Sequence, residues 1–262
     1  MRYFGLIGFP LKNNFSINYF TEKFKQSGFH DHIFENYPIE NIDQVISIIE
    51  NNKNLDGLCI TIPHKISIID YLDEIEETAK IIGAVNCVKI IPNQQTNNKN
   101  NFKLIGYNTD AVGFEQSLNS FINNKTNISK ALIIGTGGAS KAIAFVLNKL
   151  EISFAFVTRE LSNSHKNKNS NIKEYTYEML DEKIMKEHQL IINCSPIGMF
   201  PNERIAPNIP YHFLTSHHFA FDLIYLPNES LFLKKAKEQG AKTKNGLEML
   251  HLQADKAWEL FK

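Results

Sequence analysis

The run Gly135-Thr136-Gly137-Gly138-Ala139-Ser140 follows the apolar stretch ALII and opens a helical pattern. Glycines in that place permit a tight turn and let backbone N–H groups approach a pyrophosphate, whose charge the helix N-terminus favours. Ser140 stands where a third glycine is usual, and a small residue there still allows close helix packing. The same residues would serve an ordinary strand-to-helix turn, so the strand, turn, helix, strand context carries the weight. About twenty residues on, where an NAD site places a carboxylate on the ribose hydroxyls, the chain reads Val157-Thr158-Arg159-Glu160. Arginine suits a 2′-phosphate and is scarce in this chain, occurring only as Arg2, Arg159 and Arg204. The turn therefore predicts NADP(H) as cofactor, with Thr158 and Arg159 at the ribose; Glu160 would repel a phosphate unless it points away. Lys166 and Lys168 fall in the low-complexity stretch SNSHKNKNSN, which reads as a solvated loop.

Three further segments hold groups able to handle protons or hydroxyls: Thr61-Ile62-Pro63-His64-Lys65, Gly83-Ala84-Val85-Asn86 and Asn108-Thr109-Asp110. Each falls at a strand end or turn edge, where α/β sheets put their ligands. Singly they are unspecific. A strand-ending lysine is normally solvated, and NTD makes a good helix N-cap with Asp favourable in the first turn. His212, His217 and His218 lack metal-ligand spacing and clustered partners, so no metal is expected. No serine–histidine arrangement suggests acyl chemistry.

The elements that must position these groups alternate throughout. YFGLIG reads as a strand, 17–26 as a helix ended by Gly28, and Ile42, Val45, Ile46 and Ile49 as a helical stripe. LDGLCITIP is a buried strand stopped by Pro63, 74–82 a helix ended by Gly83, and VNCVKII and FKLIGYN the arms of a hairpin whose polar tip is PNQQTNNKNN. A helix from Thr109 leads to the glycine-turn unit and SFAFVTR. QLIINCS, FAFDLIY, the helix ESLFLKKAKEQG, AKTK and a last amphipathic helix over Leu247–Phe261 follow. The alternation predicts an α/β protein of two domains. Residues 1–104 would form an α/β substrate domain with a mainly parallel sheet, and 105–246 a Rossmann-type dinucleotide-binding domain. The helix 247–262 would pack back on the first.

Composition narrows the partners. Lys+Arg and Asp+Glu both number 28, which leaves no basic excess to attract a phosphate backbone, so nucleic acid is not expected. Cys59, Cys87 and Cys194 lie far apart in apolar runs without a CxxC and read as reduced thiols. With no long apolar run and no cleavable leader, the expectation is a cytoplasmic protein without a membrane segment.

Taken in order, GFPLKNNFSI, CITIPHK, GAVN, YNTD, GTGGA and Gly246-Leu247-Glu248-Met249-Leu250-His251-Leu252-Gln253 resemble the shikimate dehydrogenase family. That family's pattern runs GxPxxHSxSP, NVTxPxK, GAVN, xNTD, GAGGA and GxxMLxxQ. DLIYLPNES is similar to its D-x-x-Y-x-P-x-x-T segment, with Ser230 for Thr. The resemblance spans nearly the whole chain and implies NADPH-dependent reduction of 3-dehydroshikimate to shikimate, with hinge closure over a cleft between the domains. It implies that Lys65 transfers the proton and that Asp110 orients both lysine and substrate. Thr61, Asn86 and Gln253 would bind ring hydroxyls or the carboxylate, Tyr225 and Ser16 would lie at the carboxylate, and Gly246 would offer its backbone near the nicotinamide. His64 fills a bystander slot. The rivals are a quinate/shikimate dehydrogenase using NAD and an inactive nucleotide-binding regulator, the latter disfavoured by the presence of both Lys65 and Asp110. A generic Rossmann binding module would leave the first hundred residues unexplained. A monomer or homodimer is expected.

The chain departs from the pattern at its first motif. Asn13-Asn14 replace His-Ser, and Ile17 replaces a proline suited to a first helical position. Asn14 can still donate through its amide to the substrate carboxylate, but it is larger than serine and reaches differently. Asn14→Ser is therefore expected to lower the KM for shikimate or to shift the shikimate/quinate preference in steady-state assays. If neither moves, this departure does not tune the carboxylate pocket.

Overall fold

The computed structural model describes residues 1–11, 15–92, 101–122, 128–161 and 172–262; Asn13, Asn14, the 93–100 hairpin tip, and Lys166 and Lys168 lie outside them. The chain separates into two compact units, Met1–Thr109 with Asp255–Lys262, and Asp110–Ala254.

In the first unit a six-stranded sheet has the order β2-β1-β3-β5-β6-β4. β1 (Arg2–Gly8) runs parallel to β2 (His32–Pro38) and β3 (Leu55–Ile60). β5 (Cys87–Pro92) is antiparallel to β3 and to β6 (Phe102–Tyr107), and the two-residue β4 (Glu74–Ile75) is parallel to β6. The helical reading of 74–82 is corrected at its start. Glu74–Ile75 pair with Ile105 and Gly106, and α3 (Glu77–Ile82) begins only after Glu76, whose carboxylate caps the Ala79 N–H at 3.1 Å. Gly83 ends it at φ +68°, a conformation glycine adopts without strain.

Alternation along β1 sends Phe4 and Ile7 to opposite faces. Ile7 joins Leu58, Ile60, Val88 and Leu104 under α2 (Gln44–Asn51), which supplies Val45 and Ile49. Phe4 joins an aromatic cluster with Phe20 and Phe24 of α1 (Phe15–Gln26) and with Trp258 and Phe261. Gly57 is required here, because a Cβ would lie 2.3 Å from the Phe261 ring. Asp255 accepts from both Tyr19 and Lys23 of α1.

The second unit holds β7 (Lys130–Ile134), β8 (Ser153–Thr158), β9 (Lys173–Thr176), β10 (Leu190–Asn193), β11 (Phe219–Asp222) and β12 (Lys242–Lys244). Their order, β12-β11-β10-β7-β8-β9, with every pairing parallel, is the doubly wound arrangement of a Rossmann fold. Helices cover both faces, so the inner strands β7, β10 and β11 are apolar at nearly every position, while the edge strands β9 and β12 are mostly polar. Leu132, Ile134, Val157 and Ile191 pack with Met185 of α6 (Glu182–Glu187) and Phe232 of α7 (Leu231–Glu238). On the other side Phe114 of α4 (Asp110–Ile122) meets Phe221 edge-on at 5.2 Å, and α5 (Gly138–Lys149) buries Ile143, Val146 and Leu147. α8 (Leu247–Phe261) contributes to the second unit as far as Ala254, and a Cβ on Gly113 would lie 2.7 Å from the Met249 carbonyl. Among the described residues, no helix is long and apolar enough to cross a membrane.

Trp258 is 2% exposed and sits against Phe4, Phe24, Phe29 and His32. Trp258→Ala is expected to destabilise the first unit by about 3–5 kcal/mol, read by denaturant unfolding. A loss below about 1 kcal/mol would show that α8 does not complete this core.

Candidate active site

β1 leaves its sheet at Gly8, where a Cβ would meet the Thr61 methyl at 2.3 Å. This close approach explains the glycine at the start of GFPLKNNFS. The exit is fastened by the Phe9 N–H to the Ile62 carbonyl at 3.0 Å and the Thr61 N–H to the Ile7 carbonyl at 2.8 Å. Ser16 lies in the first turn of α1, while Asn14 is outside the described residues.

The three polar segments of the first unit are joined by hydrogen bonds. The Val85 N–H donates to the Lys65 carbonyl at 2.7 Å, the Ile60 N–H to the Asn86 carbonyl at 2.8 Å, and the Asn86 N–H to the Tyr107 carbonyl at 3.1 Å. The Asn86 side chain clasps Thr109 twice: Oδ1 accepts the Thr109 N–H at 2.6 Å and Nδ2 donates to Oγ1 at 2.9 Å. Asn108 Nδ2 donates to the Ala84 carbonyl at 2.8 Å. The next residue but one, Asp110, is buried and begins α4. Lys65 is half-buried. His64 is 3% exposed and its Nε2 donates to the Ile39 carbonyl at 2.7 Å, which commits the ring to holding the backbone.

In the second unit the glycine turn sits at the carboxyl end of β7, beside β10, where the strand order reverses. Gly135 has φ +99°, a region that disfavours other residues, and a Cβ there would come within 3.3 Å of the Ser195 backbone nitrogen. A Cβ on Gly137 would meet nothing within 4 Å, so the absence of a side chain keeps the backbone approachable. Gly138 and Ala139 open α5, and Thr136 is exposed. Ser140 is buried, and its hydroxyl donates to the Gly137 carbonyl at 2.6 Å, bracing the turn. These features suit a pyrophosphate cradle at a helix N-terminus. At the end of β8 the Thr158 hydroxyl donates to the Glu160 carbonyl at 2.7 Å, and Arg159 is exposed. Burial raises the Tyr177 phenol, and the nearby Arg159 charge partly opposes it.

Tyr225 and Gly246 are brought together by the backbone. The Gly246 N–H donates to the Ile224 carbonyl at 3.1 Å, and a Cβ on Gly246 would lie 2.1 Å from the Leu223 carbonyl, which demands glycine. Gln253 packs its backbone against Gly113, and its Nε2 donates to the Leu250 carbonyl at 3.0 Å. Among the described residues, no group of three or more His, Cys, Asp or Glu is placed to hold a metal. His218 is buried, with Nε2 on the Met185 carbonyl at 3.0 Å.

The sequence reading placed Asp222 and Ser230 in the DLIYLPNES segment but gave Asp222 no role. Asp222, fully buried at the end of β11, is pushed up to about 6 by burial, which outweighs hydrogen bonds from Ser230, Ile224 N–H and Asn193.

Residues 6–88 match the family model described as the shikimate dehydrogenase substrate binding domain. A shikimate dehydrogenase (NADP(+)) of Methanosphaera stadtmanae is 36% identical over 98% of this chain and 90% of its own length. A shikimate dehydrogenase solved in complex with NADP+ superposes with a TM-score of 0.84 at 32% identity, over 100% of this chain and 90% of that one. The enzyme of Thermus thermophilus, solved with NADP(H) and shikimate, superposes with a TM-score of 0.81 at 26% identity over 100% and 94%. Relatedness over almost the full length, and not within one module, means that the chain belongs to the shikimate dehydrogenase family.

Proposed function

We propose that this protein is an NADP(H)-dependent shikimate dehydrogenase that interconverts 3-dehydroshikimate and shikimate. The observation that carries the reading is the hydrogen-bonded assembly of the Lys65 backbone, Asn86 and Thr109, the residue before Asp110, in a chain that also holds a Rossmann turn followed by Arg159. Residues 1–104 bind the substrate and 105–246 the dinucleotide. The reduced cofactor, when bound, supplies the hydride that reaches the ring ketone carbon.

The chain's own part is the proton and the orientation. The Lys65 ammonium donates a proton to the carbonyl oxygen as negative charge develops there, and the neutral amine takes the proton back in the reverse reaction. Asp110 holds that ammonium and accepts from the neighbouring ring hydroxyl. Thr61, Asn86 and Gln253 bind ring hydroxyls, while Ser16, Asn14 and Tyr225 meet the carboxylate. Gly135 to Ser140 cradle the pyrophosphate, Thr158 and Arg159 meet the 2′-phosphate, and Gly246 borders the nicotinamide. The same reading has the enzyme at work in the cytoplasm as a monomer or homodimer.

The test is turnover of purified protein with shikimate or quinate and NADP or NAD. Shikimate with NADP is expected to give the highest kcat/KM; turnover confined to quinate with NAD would replace this reading. Lys65→Ala is expected to lower kcat by roughly 10²- to 10⁴-fold, the range for loss of a general acid, with a much smaller change in KM. Asp110→Asn should lower it by a smaller factor. Wild-type turnover in both variants would refute the proton-transfer assignment.

Cofactor choice has its own test. Arg159→Gln removes the charge facing a 2′-phosphate, and the KM for NADP is expected to rise about tenfold or more with the KM for NAD nearly unchanged. Equal effects on both would remove Arg159 from the phosphate site.

A further inference from the structure

A Rossmann sheet is two mononucleotide-binding halves. In this chain β7, β8 and β9 form one half, which carries Arg159, and β10, β11 and β12 form the other. At the carboxyl edge of the second half, the described residues include a buried network centred on one carboxylate.

Asp222 Oδ1 accepts from Asn193 Nδ2 and from the Ile224 N–H, both at 3.0 Å, and Oδ2 accepts from the Ser230 hydroxyl at 2.5 Å. Asn193 in turn uses Oδ1 to accept from the Ser195 N–H at 3.1 Å and the Ser195 hydroxyl at 2.6 Å, and its Nδ2 also reaches the Ile197 carbonyl at 3.3 Å. One carboxylate therefore fixes both turns that leave the carboxyl ends of β10 and β11. The first turn sets the Ser195 backbone against Gly135 of the glycine turn. The second holds Ile224, whose carbonyl receives the Gly246 N–H, and so sets Tyr225. Asp222 is itself fully buried and cannot touch a ligand.

We propose that Asp222 is a positioning residue for the nicotinamide half of the dinucleotide, acting through Asn193 and Ser230 on the 193–197 and 222–230 turns. The proposal rests on the NADP reading above. Charge-assisted hydrogen bonds to a buried carboxylate hold a turn more firmly than neutral ones, and the geometry they impose is independent of solvent ions. The 2′-phosphate of the adenosine half, by contrast, meets Arg159 beyond the end of β8, which shares none of the hydrogen bonds named above for this network, so 2′,5′-ADP keeps its main anchor when the network is loosened.

That separation supplies the experiment. Full-length wild type, Asp222→Asn, Ser230→Ala and Ser230→Thr are compared by calorimetric titration with NADP and with 2′,5′-ADP, which carries only the adenosine half, and by thermal unfolding. Asp222→Asn is expected to weaken NADP about tenfold and to leave 2′,5′-ADP within twofold. Ser230→Ala should weaken NADP severalfold, and Ser230→Thr, which keeps the hydroxyl, should restore it. A merely structural role would lower the unfolding temperature and weaken both ligands alike, or neither. Either of those results overturns the proposal. Should Asp222→Asn not fold, the Ser230 pair decides by the same criterion. A wild type that binds 2′,5′-ADP and NADP no better than their NAD-type counterparts would overturn the NADP reading, and this proposal with it.

Discussion

The two hydrogen bonds between the Asn86 side chain and Thr109 are the constraint on which the polar corner of the first unit depends. Asn86 leads into a strand and Thr109 precedes a helix, and an amide accepts the backbone N–H through its oxygen while its nitrogen donates to the hydroxyl. An aspartate there would keep the acceptor and lose the donor, and it would place an uncompensated charge in a buried position. Lys65 enters the same assembly through its carbonyl, held by the Val85 N–H, so its backbone is fixed while its long side chain stays half-buried and adjustable. Asp110 follows Thr109 directly and inherits its position by one peptide bond. The clasp that holds Asn86 to Thr109 is itself neutral.

How much of this was legible in the sequence depended on whether the physical cause was local. The glycine turn could be read because its demands fall on the backbone within six residues: a positive φ at Gly135, an open approach at Gly137 and a small buried residue at Ser140. The inner strands β7, β10 and β11 could be read because helices on both faces make them apolar, whereas the polar edge strand β9, KEYT, was not read as a strand. β2 could not, since HIFENYP lies at a sheet edge with only Phe34 buried and shows little alternation. β4 was hidden for a different reason. Glu74 and Ile75 are extended only because β6, about thirty residues later in the chain, pairs with them, and local pattern favours continuing the helix backwards.

The role of Asp222 was hidden by the same non-locality. The residue's place in the DLIYLPNES motif was legible, but its role was not, because its partners lie 29, 2 and 8 residues away and meet only in the fold. The energetics argue that it is not there for stability. For an acid raised above its ordinary value, the folded protein holds the proton in the window between about 3.8 and about 6, so its contribution to stability falls as pH rises through that window and is constant above it. At neutral pH the carboxylate is therefore ionised at a cost of about 3 kcal/mol. An apolar side chain would avoid that cost, although the donors now facing Asp222 would then need other partners.

The two halves of the second unit thus use charge in opposite ways. Arg159 is exposed, and its attraction for a phosphate is felt through solvent and weakened by salt. Asp222 is fully buried, and its charge acts only on the donors that touch it. Binding a dinucleotide for hydride transfer needs both: affinity can come from any point along the ligand, but the reacting carbon must be held to within a fraction of an ångström. Exposed charge is suited to the first requirement and a buried, fully hydrogen-bonded carboxylate to the second. On the proposed reading, Arg159 beyond the end of β8 and Asp222 at the end of β11 stand on the halves where those two requirements arise.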